Sequence, residues 1–391
     1  MGSKNTKSKK NNKKEDYENA KTPIEKENYL LNTNYSEKVI NKNNNINNHN
    51  NEDNSLDNKY LIKDLISDSY CKYWQDNTFT VFTSINKIMY LIYTNEKNSI
   101  ICYDLIDNKK IIEIKKAHYE FIHNFKYFLD YINKRDLLIS ISSDDNNLKL
   151  WNISNFECIL NLKKINNIGW LNSACLLTEN NKIYIVTSNC SNVYHEDIEP
   201  IKIFDLNGCK INEIKNSNNK TFFIDNFYDD KLNKIYIISG NNGYSCSYDF
   251  KLRDIYHKYS DKNNERYNMC IFIQNIGKEI NLIDTSCDGN IRLWDFHSAE
   301  LLNKIDCSPI NNDSNFALYG IYLWNNNYII VGCYDGTVKI VELKSKKIIK
   351  SLLLHDDRVL TIKKLNHPKY GECFLSQNAD KSHIKIWTVQ I

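Results

Sequence analysis

The chain has 391 residues, of which 41% are hydrophobic and 12% aromatic, and its 51 basic and 48 acidic residues give a formal net charge of +3. This charge is too small to indicate nucleic acid binding, which needs a concentrated basic face. Only 6 Ala, 11 Gly and 4 Pro accompany 60 Asn. Scarce Ala argues against a helical protein, and no apolar run approaches the roughly 18 residues of a membrane helix. The composition therefore favours β-structure, for which Ile, Tyr, Phe and Val are suited.

The first residues match a lipidation signal. Met1-Gly2-Ser3-Lys4-Asn5-Thr6 fits the pattern for N-myristoylation of Gly2 after removal of Met1. Six lysines precede the first acidic residue, so residues 15–391 carry a net charge of −3. These lysines are Lys4, Lys7, Lys9, Lys10, Lys13 and Lys14. One myristoyl chain binds bilayers weakly, and the lysines would supply a second signal at an anionic membrane surface. We therefore expect peripheral attachment to a cytoplasmic membrane face.

The basic segment also has other interpretations. KSKKNNKK (7–14) could be a nuclear-localisation or nucleic-acid tail, or simply a soluble arm, which leaves a soluble or nuclear adaptor as the alternative. Residues 1–58 as a whole are polar and rich in Asn and Lys, and 41–54 are of low complexity. Such a segment cannot bury enough apolar surface to offset the entropy of ordering, so we predict a disordered tail. The predicted folded domain is 59–391.

A repeat organises the rest of the chain. Short β-rich runs alternate with turns of Asn, Asp, Gly and Ser, and an alternating run that ends in an aromatic residue or Val recurs. The residues at this shared position are Tyr103, Trp151, Phe204, Tyr248, Trp294, Val341 and Trp387. Their spacings are 48, 53, 44, 46, 47 and 46 residues, which is the length of one four-stranded propeller blade. The sequence therefore predicts an all-β, seven-bladed β-propeller.

Two motifs add a family resemblance. GNIRLWD (289–295) is close to the characteristic strand of the WD40-repeat family, and DGT occurs at 335–337. The chain resembles this family over about residues 59–391, and the resemblance implies a structural tetrad of His, Ser, Asp and Trp within a blade. Two repeats contain all four residue types: His118, Ser140, Asp144 and Trp151 in the second, and His355, Ser376, Asp380 and Trp387 in the last. Asp145 is an alternative to Asp144. The other repeats are degenerate, with Asp284 at the Ser position of the fifth.

The end of the chain predicts how the ring closes. Each repeat continues past its shared position into a fourth strand, for example KKIIEIKK (109–116), but the seventh stops at Ile391. Its missing outer strand must come from elsewhere, because an exposed sheet edge is hazardous. KYLIKDLI (59–66) lies just before the first repeat and has a suitable length and character. We expect this segment to complete the last blade.

No motif predicts catalysis. The His-Ser-Asp sets contain the residue types of a hydrolase triad, but they recur together with Trp and lack a G-x-S-x-G motif, so we interpret them as structural. A propeller hydrolase would instead need a cluster of polar groups in the central channel. HEDIE (195–199) begins like a zinc-protease motif, but the second His is absent and Pro200 opposes a helix. We predict no enzyme activity, no metal and no cofactor.

One loop is a candidate for partner binding. The interval between Trp151 and Phe204 is the longest because the turn 188–201 is expanded, and function concentrates on such loops. Its candidate contact residues are Tyr194, His195, Glu196, Asp197 and Glu199. Two known propeller functions are disfavoured: His297 replaces the Arg of the W-D-x-R sequence of ubiquitin-ligase adaptors, and the Phe-Arg-Arg-Gly phosphoinositide motif is absent.

The cysteines indicate a reducing compartment. The 12 Cys include no C-x-x-C pair and no His at ligand spacing, and residues such as Cys102 and Cys333 lie within apolar runs, where a thiol behaves as a small hydrophobe. With no secretory signal at the start, we expect an intracellular protein. The sequence thus predicts a non-enzymatic scaffold that binds other proteins at a cytoplasmic membrane face and is not expected to bind nucleic acid.

Overall fold

The structure is a computed structural model that describes residues 60–71, 77–142, 146–165, 170–188, 199–214, 220–261, 268–276, 279–309, 316–379 and 383–389. Within these ranges it contains 28 β-strands in seven four-stranded sheets. The sheets lie in a compact unit that spans Leu56–Ile391. The segment 1–58 falls outside the described residues, and its predicted disorder and boundary stay predictions.

Each sheet is one blade, and the blades follow the repeats of the sequence. The first strand of the chain is β1 (Leu61–Ile66). The remaining strands, from the innermost to the outermost of each blade, are β2 (Phe79–Thr83), β3 (Met89–Thr94), β4 (Ile100–Asp104) and β5 (Lys109–Ile114) in blade 1; β6 (Ile122–Asp130), β7 (Arg135–Ser142), β8 (Asn147–Asn152) and β9 (Glu157–Leu162) in blade 2; β10 (Ala174–Glu179), β11 (Lys182–Thr187), β12 (Ile201–Asp205) and β13 (Lys210–Ile214) in blade 3; β14 (Thr221–Asp229), β15 (Lys234–Asn241), β16 (Ser245–Asp249) and β17 (Asp254–Tyr259) in blade 4; β18 (Asn268–Ile276), β19 (Glu279–Ser286), β20 (Asn290–Asp295) and β21 (Leu301–Asp306) in blade 5; β22 (Leu318–Asn325), β23 (Tyr328–Cys333), β24 (Thr337–Glu342) and β25 (Lys347–Leu353) in blade 6; and β26 (Val359–His367), β27 (Gly371–Asn378) and β28 (Ile384–Thr388) in blade 7.

The blades form a closed ring. The innermost strands contact one another in chain order, from β2 to β6 and onward to β26, and β26 also contacts β2. Neighbouring strands within every sheet pair antiparallel, in the simple order of a meander. The predicted seven-bladed β-propeller is therefore confirmed.

Ring closure uses the segment that the sequence predicts. Blade 7 has the strand order β26, β27, β28, β1, so its outermost strand comes from the other end of the domain. In the antiparallel pairing of β1 with β28, Leu61 lies opposite Trp387 and Ile66 lies opposite Ile384. Ile66 is 6% exposed and packs with residues of both blade 7 and blade 1. The prediction that an N-terminal strand completes the last blade is confirmed.

The hydrophobic core is divided into layers between neighbouring blades. Leu137 and Ile139 of blade 2 pack with Leu176 and Ile185 of blade 3, and comparable clusters lie between the other adjacent blades. Inner and middle strands of a blade are consequently apolar on both sheet faces. The apolar area buried in each layer supplies about 25 cal/mol per Å² to stability, so every blade depends on both of its neighbours.

The shared position of the repeat marks one place in every blade. It falls on the third strand, counted from the centre, as with Trp151 on β8 and Trp294 on β20. A β-bulge lies beside it, where the third strand pairs with the outermost strand. A bulge increases local twist and redirects side chains. The sequence period therefore records a repeated backbone irregularity as well as a repeated side chain.

Asparagine replaces glycine in several turns. Asn98 and Asn146 adopt φ values of 55° and 53° in the turns before β4 and β8, where Gly289 and Gly336 have φ values of 79° and 82° before β20 and β24. Asn tolerates this left-handed region better than other side chains because it can form local hydrogen bonds. Asn therefore takes the place of Gly at several turns of this chain, which has only 11 Gly.

We expect replacement of Ile66 by Ala to weaken ring closure. Removal of its buried side chain should lower the free energy of unfolding by about 2–4 kcal/mol, through lost burial and an unfilled cavity. Ile111→Ala is the matched control, because Ile111 lies on another outer strand, β5, and is 38% exposed; this change should cost less than about 0.5 kcal/mol. Urea unfolding of the full chain measures both, and equal stabilities of the two variants would contradict the closure.

Candidate functional site

Blade 2 brings three of its four predicted tetrad residues together. His118 lies in the link that precedes β6, Ser140 lies on β7 and Trp151 lies on β8. The Nε2 atom of His118 is 2.7 Å from Oγ of Ser140, and Trp151 Nε1 donates to the same Oγ at 2.8 Å. These bonds join the link before the innermost strand to the second and third strands of the blade.

Blade 7 repeats this arrangement. His355 precedes β26, Ser376 lies on β27 and Trp387 lies on β28. His355 Nε2 is 2.6 Å from Oγ of Ser376, and Trp387 Nε1 donates to that Oγ at 2.7 Å. The ring of Trp387 also packs against the ring of His355 in a T-shaped contact. In this blade the link and the second and third strands are joined in the same way.

The carboxylates of both tetrads remain predictions. Asp144, its alternative Asp145, and Asp380 lie outside the described residues. Among the described residues, neither His118 Nδ1 nor His355 Nδ1 has a hydrogen-bond partner, although both atoms are buried. A carboxylate at this place would satisfy the Nδ1 proton, since Nε2 faces the serine hydroxyl. The family resemblance assigns that part to Asp144 and Asp380.

Burial keeps both histidines neutral. Desolvation, with a further contribution from nearby Lys149, lowers the pKa of His118 to about 3. Desolvation and then Lys385 lower the pKa of His355 to about 3. His355 and both serines are fully buried, and His118 is 2% exposed. A general base and a nucleophile must reach a substrate, so the position of these groups supports a structural role.

Blade 5 uses an aspartate in the same place. Asp284 on β19 accepts a hydrogen bond from Trp294 Nε1 at 2.9 Å, as the serines do in blades 2 and 7. It also accepts one from Ser245 Oγ of blade 4 at 2.8 Å, so this position links two blades. Burial raises the pKa of Asp284 to about 6, against the opposing effect of Arg292. The departure from the family pattern is therefore accommodated by hydrogen bonds across the blade interface.

Basic residues on the third strands are a feature that the sequence analysis missed. Lys149 Nζ donates to the carbonyl oxygen of Ala117 at 2.5 Å, and Lys202 Nζ donates to that of Ile165 at 2.6 Å. Lys339 donates in the same way to Cys307. The backbone N–H groups of these three acceptor residues bond the preceding blade, for example Ala117 N to Asn98 O at 2.9 Å. Each lysine thus fixes a link between two blades.

A signal for these lysines is present in the sequence. They stand two residues before the shared position, in LKLW (148–151), IKIF (201–204) and VKIV (338–341). Because side chains on a strand alternate with a period of two, a residue at this offset shares a sheet face with the aromatic side chain. A cation on a buried face needs a partner, so the spacing predicts an internal acceptor.

The central channel contains an ion pair between blades. A cavity of about 570 Å³ is lined by the innermost strands. Within it, Lys126 of β6 lies 2.5 Å from Asp225 of β14. Burial lowers the pKa of Lys126, but the Asp225 carboxylate outweighs this effect and raises it. The lysine is consequently a charged, paired group, which is unsuited to act as a nucleophile or a base.

The expanded turn is described only at its end. Tyr194, His195, Glu196 and Asp197 lie outside the described residues, so their part in partner binding stays a prediction. Glu199 is described. It lies just before β12, and its carboxylate pairs with Lys202 on that strand. This ion pair therefore fixes the end of the turn to the same lysine that bonds the carbonyl oxygen of Ile165, in the link between blades 2 and 3.

Other predicted features are placed as follows. Gly2 and the six lysines of the tail lie outside the described residues. Among the residues that are described, no group of His, Cys, Asp and Glu could hold a metal ion, and no helix has the length and hydropathy of a membrane span. Cys102, Cys175 and Cys246 are buried, and burial raises the pKa of each thiol to about 12.

Comparison with known proteins gives a partial similarity. No protein-family profile matches the chain. The chain is similar to the U3 small nucleolar RNA-associated protein 21 homolog of Schizosaccharomyces pombe, with 27% identity over 78 residues. These residues are 20% of this chain and 8% of that protein, so the match spans less than a tenth of the relative's length. Together with the seven blades, this similarity supports a WD40-like propeller.

We expect stability to fall on acidification because of His118 and His355. Their pKa values of about 3 in the folded protein lie below the ordinary value of 6.5. Below pH 6.5 the unfolded chain gains protons that the folded protein does not, and the free energy of unfolding should fall by about 1.4 kcal/mol per pH unit for each histidine. Urea unfolding between pH 7.5 and 5 measures this loss.

The variant His355→Gln is the comparison for that experiment. It should be less stable at pH 7.5, since Ser376 loses a partner, but its stability should fall less steeply with acidification. A wild-type stability that stays constant down to pH 5 would contradict the expectation, because it would mean that both histidines take up protons in the folded protein as readily as in the unfolded chain.

Proposed function

We propose that this protein is a non-enzymatic scaffold that gathers other proteins at a cytoplasmic membrane face. The propeller would present the binding surfaces, and an N-myristoyl group on Gly2 together with the neighbouring lysines would tether it. The observation that carries the scaffold proposal is the closed seven-bladed ring, whose described polar clusters bond within and between blades.

The polar groups of the interior support the absence of catalysis. His118 and His355 are buried and neutral, and the channel ion pair of Lys126 and Asp225 satisfies itself. Because these interior groups bond within the propeller, we expect partners to contact its turns and outer strands. Turns on a rigid β-scaffold are well suited to binding, since they vary without disturbing the core.

The similarity to this relative does not lead us to propose RNA binding. Its printed name associates that protein with a small nucleolar RNA, but the similarity covers 8% of its length. The balanced charge of this chain does not favour nucleic acid either. We therefore keep other proteins and an anionic membrane surface as the proposed partners.

The tether is supported by the sequence of the tail. The myristoylation pattern and the six lysines occur together at the start of the chain, and the rest of the chain has a net charge of −3. Acyl chain and lysines are each insufficient alone and are effective in combination. The alternative, a soluble or nuclear adaptor, makes the opposite prediction for acylation.

We expect the native N-terminal peptide to carry a myristoyl group on Gly2. Intact mass measurement of that peptide, combined with membrane fractionation, tests this directly. Gly2→Ala should abolish the added mass and move most of the protein to the soluble fraction, because a polybasic segment alone binds bilayers weakly. Ser3→Ala is the matched control, because it lies next to the acylated residue at an unrestricted position of the pattern and should behave as the wild type.

An unmodified or acetylated amine, with an unchanged distribution in Gly2→Ala, would contradict the tether. The basic tail would then be interpreted as a targeting signal or a soluble arm. The scaffold proposal would still stand, because it rests on the propeller.

A further inference from the structure

One face of the propeller is formed by two kinds of turn. Because each blade is an antiparallel meander, the turn between its first and second strands and the turn between its third and fourth strands emerge at the same end of the sheet. We call the surface made by these turns the paired-turn face. In blade 4 these two turns are residues 230–233 and 250–253.

Both turns of blade 4 carry the same tip, a lysine followed by a leucine. The tips are Lys231-Leu232 and Lys251-Leu252. Asp229 Oδ1 accepts hydrogen bonds from the backbone N–H groups of Lys231 and Leu232 at 3.0 and 3.2 Å. Asp249 Oδ1 accepts those of Lys251 and Leu252 at 2.9 and 3.0 Å. The aspartate at the end of each strand thus fixes its turn, and the tips are held in place.

The leucine tips project into solvent. Leu252 is 70% exposed and Leu232 is 50% exposed, whereas Asp229 and Asp249 at the ends of the preceding strands are buried. Blade 2 projects a similar tip on this face, where Tyr131 is 80% and Ile132 is 46% exposed. The backbone of that turn is also fixed, since Asn133 N–H donates to Asp130 Oδ1 at 3.0 Å. This face therefore projects apolar side chains from turns whose backbones are fixed.

The charges beside these tips are mainly positive. Exposed lysines occur in six of the turns that the structure describes on this face: Lys87, Lys134, Lys231, Lys251, Lys344, Lys346 and Lys369. Exposed acidic residues in the described turns of this face are Asp107, Asp230 and Glu300, and of these only Asp230 shares a turn with one of the lysines. Other aspartates next to these turns, such as Asp130, Asp229 and Asp249, are buried as acceptors for the turn backbone. Their negative charge is therefore held beneath a surface of lysines.

We propose that the paired-turn face docks on an anionic lipid bilayer through the two Lys-Leu tips of blade 4 and through Tyr131-Ile132 of blade 2. Aliphatic tips would enter the boundary between headgroups and acyl chains, while the lysines stay among the anionic headgroups. A tyrosine with an apolar ring and a polar hydroxyl suits the same boundary. This inference rests on the proposed membrane location, and it adds an orientation for the propeller on the membrane.

The chemistry of the face favours lipid over the other macromolecules. Protein interfaces are depleted in lysine at their centres, and leucine is under-represented among the residues that carry most of their binding energy. Single-stranded nucleic acids are bound by aromatic rings and arginine planes that stack on bases, whereas both tips of blade 4 present leucine. Proteins bind membrane surfaces through apolar insertion and through electrostatic attraction to anionic lipids. A lysine next to a protruding aliphatic side chain provides both interactions.

The experiment is vesicle sedimentation of the full chain in a Gly2→Ala background, so that binding does not depend on acylation. Vesicles of phosphatidylcholine with about 30% phosphatidylserine provide the anionic surface, and pure phosphatidylcholine vesicles provide the neutral one. We expect binding to the anionic vesicles that weakens with salt. Leu232→Ser/Leu252→Ser should reduce this binding about tenfold, because two apolar tips no longer enter the bilayer.

The matched control is Ile159→Ser/Ile349→Ser. Ile159 and Ile349 are 39% and 45% exposed and lie on the outer strands β9 and β25, outside the paired turns themselves. This control should bind as the Gly2→Ala parent does, and unchanged circular dichroism should show that both double variants are folded. Equal binding of the two double variants, or no binding of the parent to anionic vesicles, would overturn the proposal. Such a result would leave the acyl tether untouched, since that is tested by the mass of the N-terminal peptide.

Discussion

The pairing of β1 with β28 is the constraint on which the rest of the structure depends. The core of this protein is divided into layers between neighbouring blades, so a blade that lacks one neighbour loses one of its two apolar contacts. A ring with an unpaired edge in blade 7 would also expose the backbone donors and acceptors of β28. By supplying the fourth strand from the start of the domain, β1 fixes the relative position of the two ends of the folded chain. Blade 7 and blade 1 can then bury the layer that contains Ile66.

The repeat could be predicted from the sequence because it depends on local patterns, and the closure could be predicted because the last repeat lacks a fourth strand. Strand alternation, turn residues and a period in the mid-forties determine where each blade falls. In the structure the shared position of the repeat lies on the third strand of all seven blades. The contacts of His118 and His355 with their serines and tryptophans follow the spacing in the family resemblance. Long-range pairs have no such signal: Lys126 and Asp225 are 99 residues apart and meet only because the ring brings β6 and β14 to one channel.

Polar side chains in this propeller serve mainly to join its parts. Lys149 and Lys202 hold the links between blades, Asp284 connects blade 5 to blade 4, and Asp249 fixes a turn. The sequence identifies these residues as polar or charged, but it does not show that they form hydrogen bonds inside the protein. Once they are assigned, the remaining exposed features are the turns and the outer strands. A scaffold function is consistent with this division, and the exposed leucines of the blade 4 turns, Leu232 and Leu252, belong to these surface features.

The most direct test of this account is hydrogen exchange of the backbone amides in β1, compared with those in β28. If β1 completes the ring, the amides of Leu61–Ile66 that pair with β28 should exchange slowly, with protection similar to that of β28 itself. A mild destabilisation should then expose both strands together, as one cooperative unit. Rapid exchange throughout β1 beside a protected β28 would contradict the account, because blade 7 would then be closed by another element or left open.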